Sequence, residues 1–204
     1  MKILNIIIVM SVFLFLSGCG KDDKKPVTEQ KKQDATQQTN TQQTNTQTSG
    51  MKIYKISAVE ESKSEKNVPE LTWDENGNKV SLSGSKGKVM FLNFWATWCA
   101  PCKKEMPELS EINTELKDKN FVMYGINVFQ RGNTTIEDVL KTIPVSYPIL
   151  DGNENVVKAF EKASGAPMDG VPTTFIVDKN GKIVETLVGS RDKAAFMTII
   201  KKYL

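Results

Sequence analysis

Two cysteines separated by two residues constrain this chain more than any other feature. They lie in the segment Trp98-Cys99-Ala100-Pro101-Cys102, between two different periodicities. Before it, Val89 to Trp95 is a strongly apolar run, long enough for a strand buried on both faces. After it, a helical pattern continues through Lys117. Cysteines three apart at a helix start share one face, one turn apart. Their β-carbons can then approach as closely as a disulfide requires. The first cysteine also lies among backbone N–H groups without helical partners, at the positive end of the helix dipole. Both effects favour thiolate and lower the pKa of Cys99. Pro101 suits the first turn, where no N–H is needed and φ is preset.

The chemistry expected of such a pair is thiol–disulfide exchange. In the reduced chain an exposed Cys99 thiolate attacks a substrate disulfide and forms a mixed disulfide. Cys102, more buried, resolves it and leaves the pair oxidised. The structural alternative is a stabilising disulfide, but so small a loop restricts the unfolded chain little.

Composition removes most other chemistries. The chain has three cysteines and no histidine. Cys–His dyads, Ser–His–Asp triads, histidine zinc ligands and a histidine-ligated haem are therefore excluded. A structural zinc site or a Cys₄ iron–sulfur cluster needs about four ligands. Lys103 follows Cys102, so covalent haem attachment at C-x-x-C-H also fails. No cofactor and no metal site are expected. The net charge is +3, with no long basic stretch carrying interleaved aromatics, which argues against a nucleic-acid partner. There is no G-x-G-x-x-G turn for a nicotinamide dinucleotide.

The third cysteine reads as an address. Lys2 begins a positive leader, Ile3 to Leu16 is mostly apolar, and Ser17 and Gly18 precede Cys19. Leu16-Ser17-Gly18-Cys19 resembles a bacterial lipobox, in which cleavage precedes the cysteine and the cysteine is lipidated. An uncleaved anchor is the alternative, but the run is short for a span of ~20 residues. Either way, the remainder is expected outside the cytoplasm, anchored to a membrane of a bacterial cell envelope. From Thr36 to Thr48 every residue is Thr, Gln or Asn, and such a tract has nothing to bury. About thirty flexible residues reach on the order of 30 Å. The expected organisation is a signal peptide over 1–18, a lipidated cysteine and polar linker over 19–66, and one domain over 67–204. Ile53 and Ile56 can dock, but the lysines and glutamates around them make 51–66 read as a frayed lead-in.

Within the domain, Leu71 to Leu82 around the turn Asp74-Glu75-Asn76-Gly77 predicts a hairpin. Phe121 to Val128 predicts a second buried strand, Thr134 to Ile143 a short helix, Tyr147 to Leu150 a short strand, and Val156 to Ala163 a helix. Val171 to Val177 and Lys182 to Val188 flank the turn Asp178-Lys179-Asn180-Gly181, and Asp192 to Leu204 closes with an amphipathic helix. The order implies an α/β fold with a mixed central sheet, helices on both faces and an N-terminal β-hairpin.

Two separated motifs carry a family resemblance. FLNFWATWCAPCKKEMPEL resembles the active-site segment of thioredoxins, and the wider pattern over 67–204 resembles the TlpA/ResA-like membrane-anchored thioredoxins. Pro107 matches the proline that kinks the thioredoxin active-site helix. Val171-Pro172-Thr173-Thr174-Phe175 matches the second motif. The resemblance implies a thioredoxin-like fold, with Pro172 cis, facing the cysteines and presenting backbone to an extended substrate. Trp98, Pro101, Val171 and Pro172 form the implied substrate-binding set. Asn93 stands where thioredoxins carry a buried aspartate that helps move protons, and an amide cannot titrate. Glu105 matches a glutamate that ResA-like proteins place near the cysteine pair, where it can raise thiol pKa values and relay protons. Implied partners are protein disulfides or dithiols, of the apocytochrome c type in ResA-like relatives, and an upstream membrane thiol reductase. Three readings compete. A disulfide oxidase or isomerase uses the same motif. A peroxiredoxin-type peroxidase places Pro and Thr where this chain has Leu92 and Ala96. A non-enzymatic lipoprotein would not need the cysteine pair.

Overall fold

A computed structural model of the chain describes residues 50–204. The leader, Cys19 and the polar tract up to residue 49 lie outside the described residues. Among the described residues, no helix is long and apolar enough to cross a membrane.

The apolar run Val89–Trp95 forms β4, buried at every position. Burial on both faces follows from its place in the sheet. β4 pairs in parallel with β5 (Phe121–Asn127) and antiparallel with β7 (Thr173–Val177). Successive side chains point to opposite faces, and the packing follows that alternation. Val89, Phe91 and Trp95 join a core with α1 (Ala100–Leu116), α2 (Ile136–Thr142) and α4 (Lys193–Ile200). Met90, Leu92 and Phe94 face α3 (Glu154–Ser164) and the N-terminal hairpin. On that second face Phe94, Phe160 and Phe175 form a cluster of rings with centroids 4.9 to 5.5 Å apart.

The hairpin consists of β2 (Glu70–Glu75) and β3 (Asn78–Ser81). Asn76 and Gly77 both take positive φ, as a tight two-residue hairpin turn demands. The second predicted hairpin joins β7 to β8 (Ile183–Val188), with Asp178 Oδ1 accepting from the amides of Asn180 and Lys182. The predicted short strand is β6 (Ile149–Asp151), shifted toward its C-terminal end, with Tyr147 buried just before it. Close packing here explains Gly125 on β5: a β-carbon there would lie 2.6 Å from Ile149 Cδ1 and 3.0 Å from Tyr147 Cε2.

One stretch departs from expectation. Ile53–Glu60, read as part of a frayed lead-in, is β1 of the sheet. Its first half pairs in parallel with β6 and its second half antiparallel with β2, with an irregularity between Ile56 and Ala58. The strand order is β3-β2-β1-β6-β5-β4-β7-β8, so β1 joins the hairpin to the rest of the sheet. Ile56 is its one fully buried residue, which is why the apolar pattern was weak. The strand is held chiefly by ladder bonds to partners distant in sequence, and local pattern does not report those.

Candidate active site

The cysteine segment begins where β4 ends. Cys99 is the N-cap of α1, and Cys102 lies in its first turn. The two sulfurs form a disulfide, with the α-carbons 5.4 Å apart. The Cys102 amide donates to Cys99 Sγ at 3.2 Å, one of the helix N-terminal donors that have no helical acceptor. After reduction that donor and the helix dipole both favour thiolate at Cys99. Pro101 stands in the first turn and costs no helical hydrogen bond there.

Cys99 is less open than expected. It is 2% exposed and Cys102 is fully buried. The bonded sulfur and the β7 approach cover it: the Val171 carbonyl oxygen lies 3.6 Å from Cys99 Sγ, where a reduced thiol can donate. The Val171–Pro172 peptide bond is cis, as the resemblance implied. The Pro172 carbonyl accepts from the Gly189 amide at 2.9 Å, which ties this turn to the end of β8.

Trp98 and Val188 are the large apolar side chains left exposed among the described residues, at 40% and 71%. Trp98 precedes Cys99, and Val188 pairs with Thr173, next to Pro172. Trp98 Nε1 donates to the Phe129 carbonyl at 2.6 Å, and the Arg131 guanidinium stacks 4.6 Å from its ring. The loop after β5 is therefore part of the rim. Trp95, by contrast, is 1% exposed and belongs to the core.

Glu105 lies one turn beyond Cys102 on the same helix and is 3% exposed. Its Oε1 accepts from Asn93 Nδ2 at 2.9 Å, and its Oε2 from the Arg191 amide at 3.4 Å. Burial pushes its pKa above the ordinary 4.5; the hydrogen bonds from Asn93, Ser190 and the Arg191 amide, and the Arg191 charge, oppose the shift. Tyr147 responds in turn. Its phenol pKa is raised, first by burial and then by the Glu105 charge, and its hydroxyl has no hydrogen-bond partner. Glu105 thus differs from Glu108 and Glu111, whose carboxylates meet the Lys193 amide and ammonium respectively. Glu105 and Asn93 each stand out in the sequence, but only the fold brings them into contact. Arg191, Tyr147 and Arg131 do not stand out there. Arg191 reaches Glu105 through a backbone amide and its charge from 86 residues away, and all three come together only through tertiary packing.

Chemistry of this kind on this fold belongs to the thioredoxin-like thiol–disulfide oxidoreductases, and comparison with known proteins agrees. A protein-family model described as Redoxin matches residues 63–199, so the chain belongs to the Redoxin family. It is 33% identical over 132 residues to the thiol-disulfide oxidoreductase ResA of Bacillus subtilis (strain 168), covering 63% of this chain and 70% of that one. With ResA of Bacillus thuringiensis subsp. konkukian (strain 97-27) it shares 29% over 157 residues, 75% of this chain and 87% of the relative. Among solved structures, a thioredoxin-family thiol:disulfide interchange protein from Chlorobium tepidum TLS matches with TM-score 0.59 and 29% identity, covering 70% of this chain and 98% of that one. A putative thiol:disulfide interchange protein DsbE from Chlorobium tepidum matches with TM-score 0.57 and 26% identity, over 68% and 96% of the two chains. The chain is thus a ResA/TlpA-like thiol–disulfide oxidoreductase acting on protein thiols and disulfides.

Proposed function

We propose that the chain is a membrane-tethered extracytoplasmic reductant that keeps cysteine pairs of exported client proteins reduced. Apocytochrome c-type clients are the class that the ResA resemblance implies. In each turnover the Cys99 thiolate attacks a client disulfide, forming one mixed disulfide and releasing one client thiolate. Cys102 then loses its proton and displaces the second client sulfur. The client gains two electrons and two protons, one from Cys102 and one from solvent into which Cys99 had ionised, and the Cys99–Cys102 disulfide forms. An upstream membrane thiol reductase restores the dithiol. Trp98, Pro101, Val171 and Pro172 hold the client segment, and Glu105 takes up and returns the proton of Cys102. Cys19 carries the lipid anchor.

The observation that carries this reading is the disulfide-bonded pair at the N-terminus of α1, with the carbonyl before a cis-proline 3.6 Å from Cys99 Sγ. Cys102→Ser should trap mixed disulfides with clients in the cell envelope, and Cys99→Ser should not. A reversed pattern exchanges the roles of the two sulfurs. The isomerase or oxidase reading has its own support, since a solved structure titled a putative protein disulfide isomerase, from Bacteroides thetaiotaomicron, matches at 30% identity. A measured reduction potential separates the two. A value near thioredoxin's about −270 mV or lower fits the reductant, and one near about −120 mV fits an oxidase.

A further inference from the structure

One buried polar side chain has no part in the exchange chemistry just described. Asn93 sits in β4 among apolar residues and is 1% exposed. Its Nδ2 donates to Glu105 Oε1 at 2.9 Å and to Thr174 Oγ1 at 3.1 Å. An amide nitrogen carries two donors, so both are committed. Thr174 is 2% exposed and lies on β7 just beyond Pro172. The register enforces the second contact, because Asn93 and Thr174 are directly paired across β4 and β7. Asn93 therefore links the carboxylate on α1 to the strand that follows the cis-proline.

We propose that Asn93 is a positioning residue for the exchange reaction, fixing the Glu105 carboxylate one helical turn after Cys102 and tying its orientation to the Pro172 strand. The proposal rests on the role assigned to Glu105 above. A buried carboxylate needs donors, and Asn93 supplies one without adding charge. An aspartate at 93 would instead set a second negative group against the first. Cys102 precedes Glu105 by one turn of α1; the other charged or titratable groups about Glu105 are Arg191 after β8 and Tyr147 before β6, with the neutral Ser190 side chain as a further donor. Thr174 on β7 and Asn93 on β4 are neutral. Asn93 is thus the donor that orients Glu105 from within the sheet.

The test is the pH profile of alkylation at Cys99 in the reduced full-length chain, read by peptide mass spectrometry. Five proteins are compared: wild type, Asn93→Ala, Asn93→Asp, Glu105→Gln and the double variant Asn93→Ala/Glu105→Gln. Glu105→Gln removes a like charge, so thiolate forms at lower pH. Asn93→Ala removes a donor from the carboxylate, so Glu105 keeps its proton to higher pH and thiolate forms beside a neutral group. Its midpoint should move in the same direction as that of Glu105→Gln, by about half a pH unit or more. In the Glu105→Gln background the Asn93 change should add no further shift. Asn93→Asp, close in shape and therefore safer for folding, should move the midpoint the opposite way. The curves are compared whole, because the groups titrate together. A shift in Glu105→Gln with wild-type curves for both Asn93 variants overturns the role of Asn93 and leaves that of Glu105 standing. Additive shifts in the double variant overturn it as well, since Asn93 would then act on the thiols by another route. An unmoved curve in Glu105→Gln removes the role of Glu105, and the proposal falls with it.

Discussion

Glu105 carries its carboxylate where charge is costly, and this has a consequence for stability. Its pKa is raised in the folded chain, chiefly by burial. The native state therefore holds the proton more tightly than the unfolded chain does. The stability linked to this group is fully present below the ordinary value of 4.5 and is lost as pH rises through the higher folded value. Glu105→Gln removes that dependence. In denaturant unfolding of the oxidised protein, the stability difference between variant and wild type should shift in favour of the variant from pH 4 to pH 8. A constant difference across that range would mean that the carboxyl titrates alike in both states. Cys99 shows a second residue-scale effect. In the reduced chain the helix start and the Cys102 amide favour its thiolate, while the Val171 carbonyl lies over its sulfur. Activation and access are thus set by different elements.

The element that most changes the reading of the sequence is β1. It lies between β2 and β6 and contributes pairing on both sides although few of its side chains are buried. Tyr54 Oη adds a hydrogen bond to Glu75 Oε1 at 2.8 Å, which fastens β1 to the hairpin. Two truncations follow from this. A chain starting at residue 50 should unfold as cooperatively as the full-length protein. A chain starting at residue 67 lacks β1, exposes the edges of β2 and β6, and strips cover from Trp73 and Leu71. Its loss should be a large part of the ~5–15 kcal/mol that stabilises an ordinary domain. Thermal unfolding followed by circular dichroism checks both. Equal midpoints would show that β1, ladder bonds included, contributes nothing to stability.

Across the whole molecule, the redox centre is assembled from the end of β4, the start of α1, the turn before β7, the loop after β5 and the loop after β8. Only the end of β4 and the start of α1 are neighbours in sequence, and the central strand holds the rest to them: β4 pairs directly with β5 and with β7, and β7 with β8. Delivery of that centre to its clients depends on the proposed anchor. If Cys19 is lipidated, the full-length protein should fractionate with membranes, and Cys19→Ala should release it or block its maturation. Mass spectrometry of the mature N-terminus gives the direct reading. A free thiol at Cys19 in a membrane-associated protein would remove the anchor from the proposal.

The chemistry was legible in the sequence because its parts are local. A buried strand, two cysteines one helical turn apart and a proline in the first turn need only a few consecutive residues to specify them. The turns Asp74 to Gly77 and Asp178 to Gly181 were legible for the same reason, since their side chains and positive-φ positions act within the turn itself. What the tertiary structure alone decided is whatever depends on partners far along the chain. Ile53–Glu60 became a strand through β2 and β6 and not through its own pattern. Asn93 acquired its partners because β4 and β7 are in register and α1 folds back over the sheet. The Arg191 amide met Glu105 from 86 residues away, a hydrogen bond that no local spacing announces. A sequence displays side-chain types and short-range spacing. Backbone hydrogen bonds and burial are properties of the completed sheet, and they set the environment in which the two cysteines react.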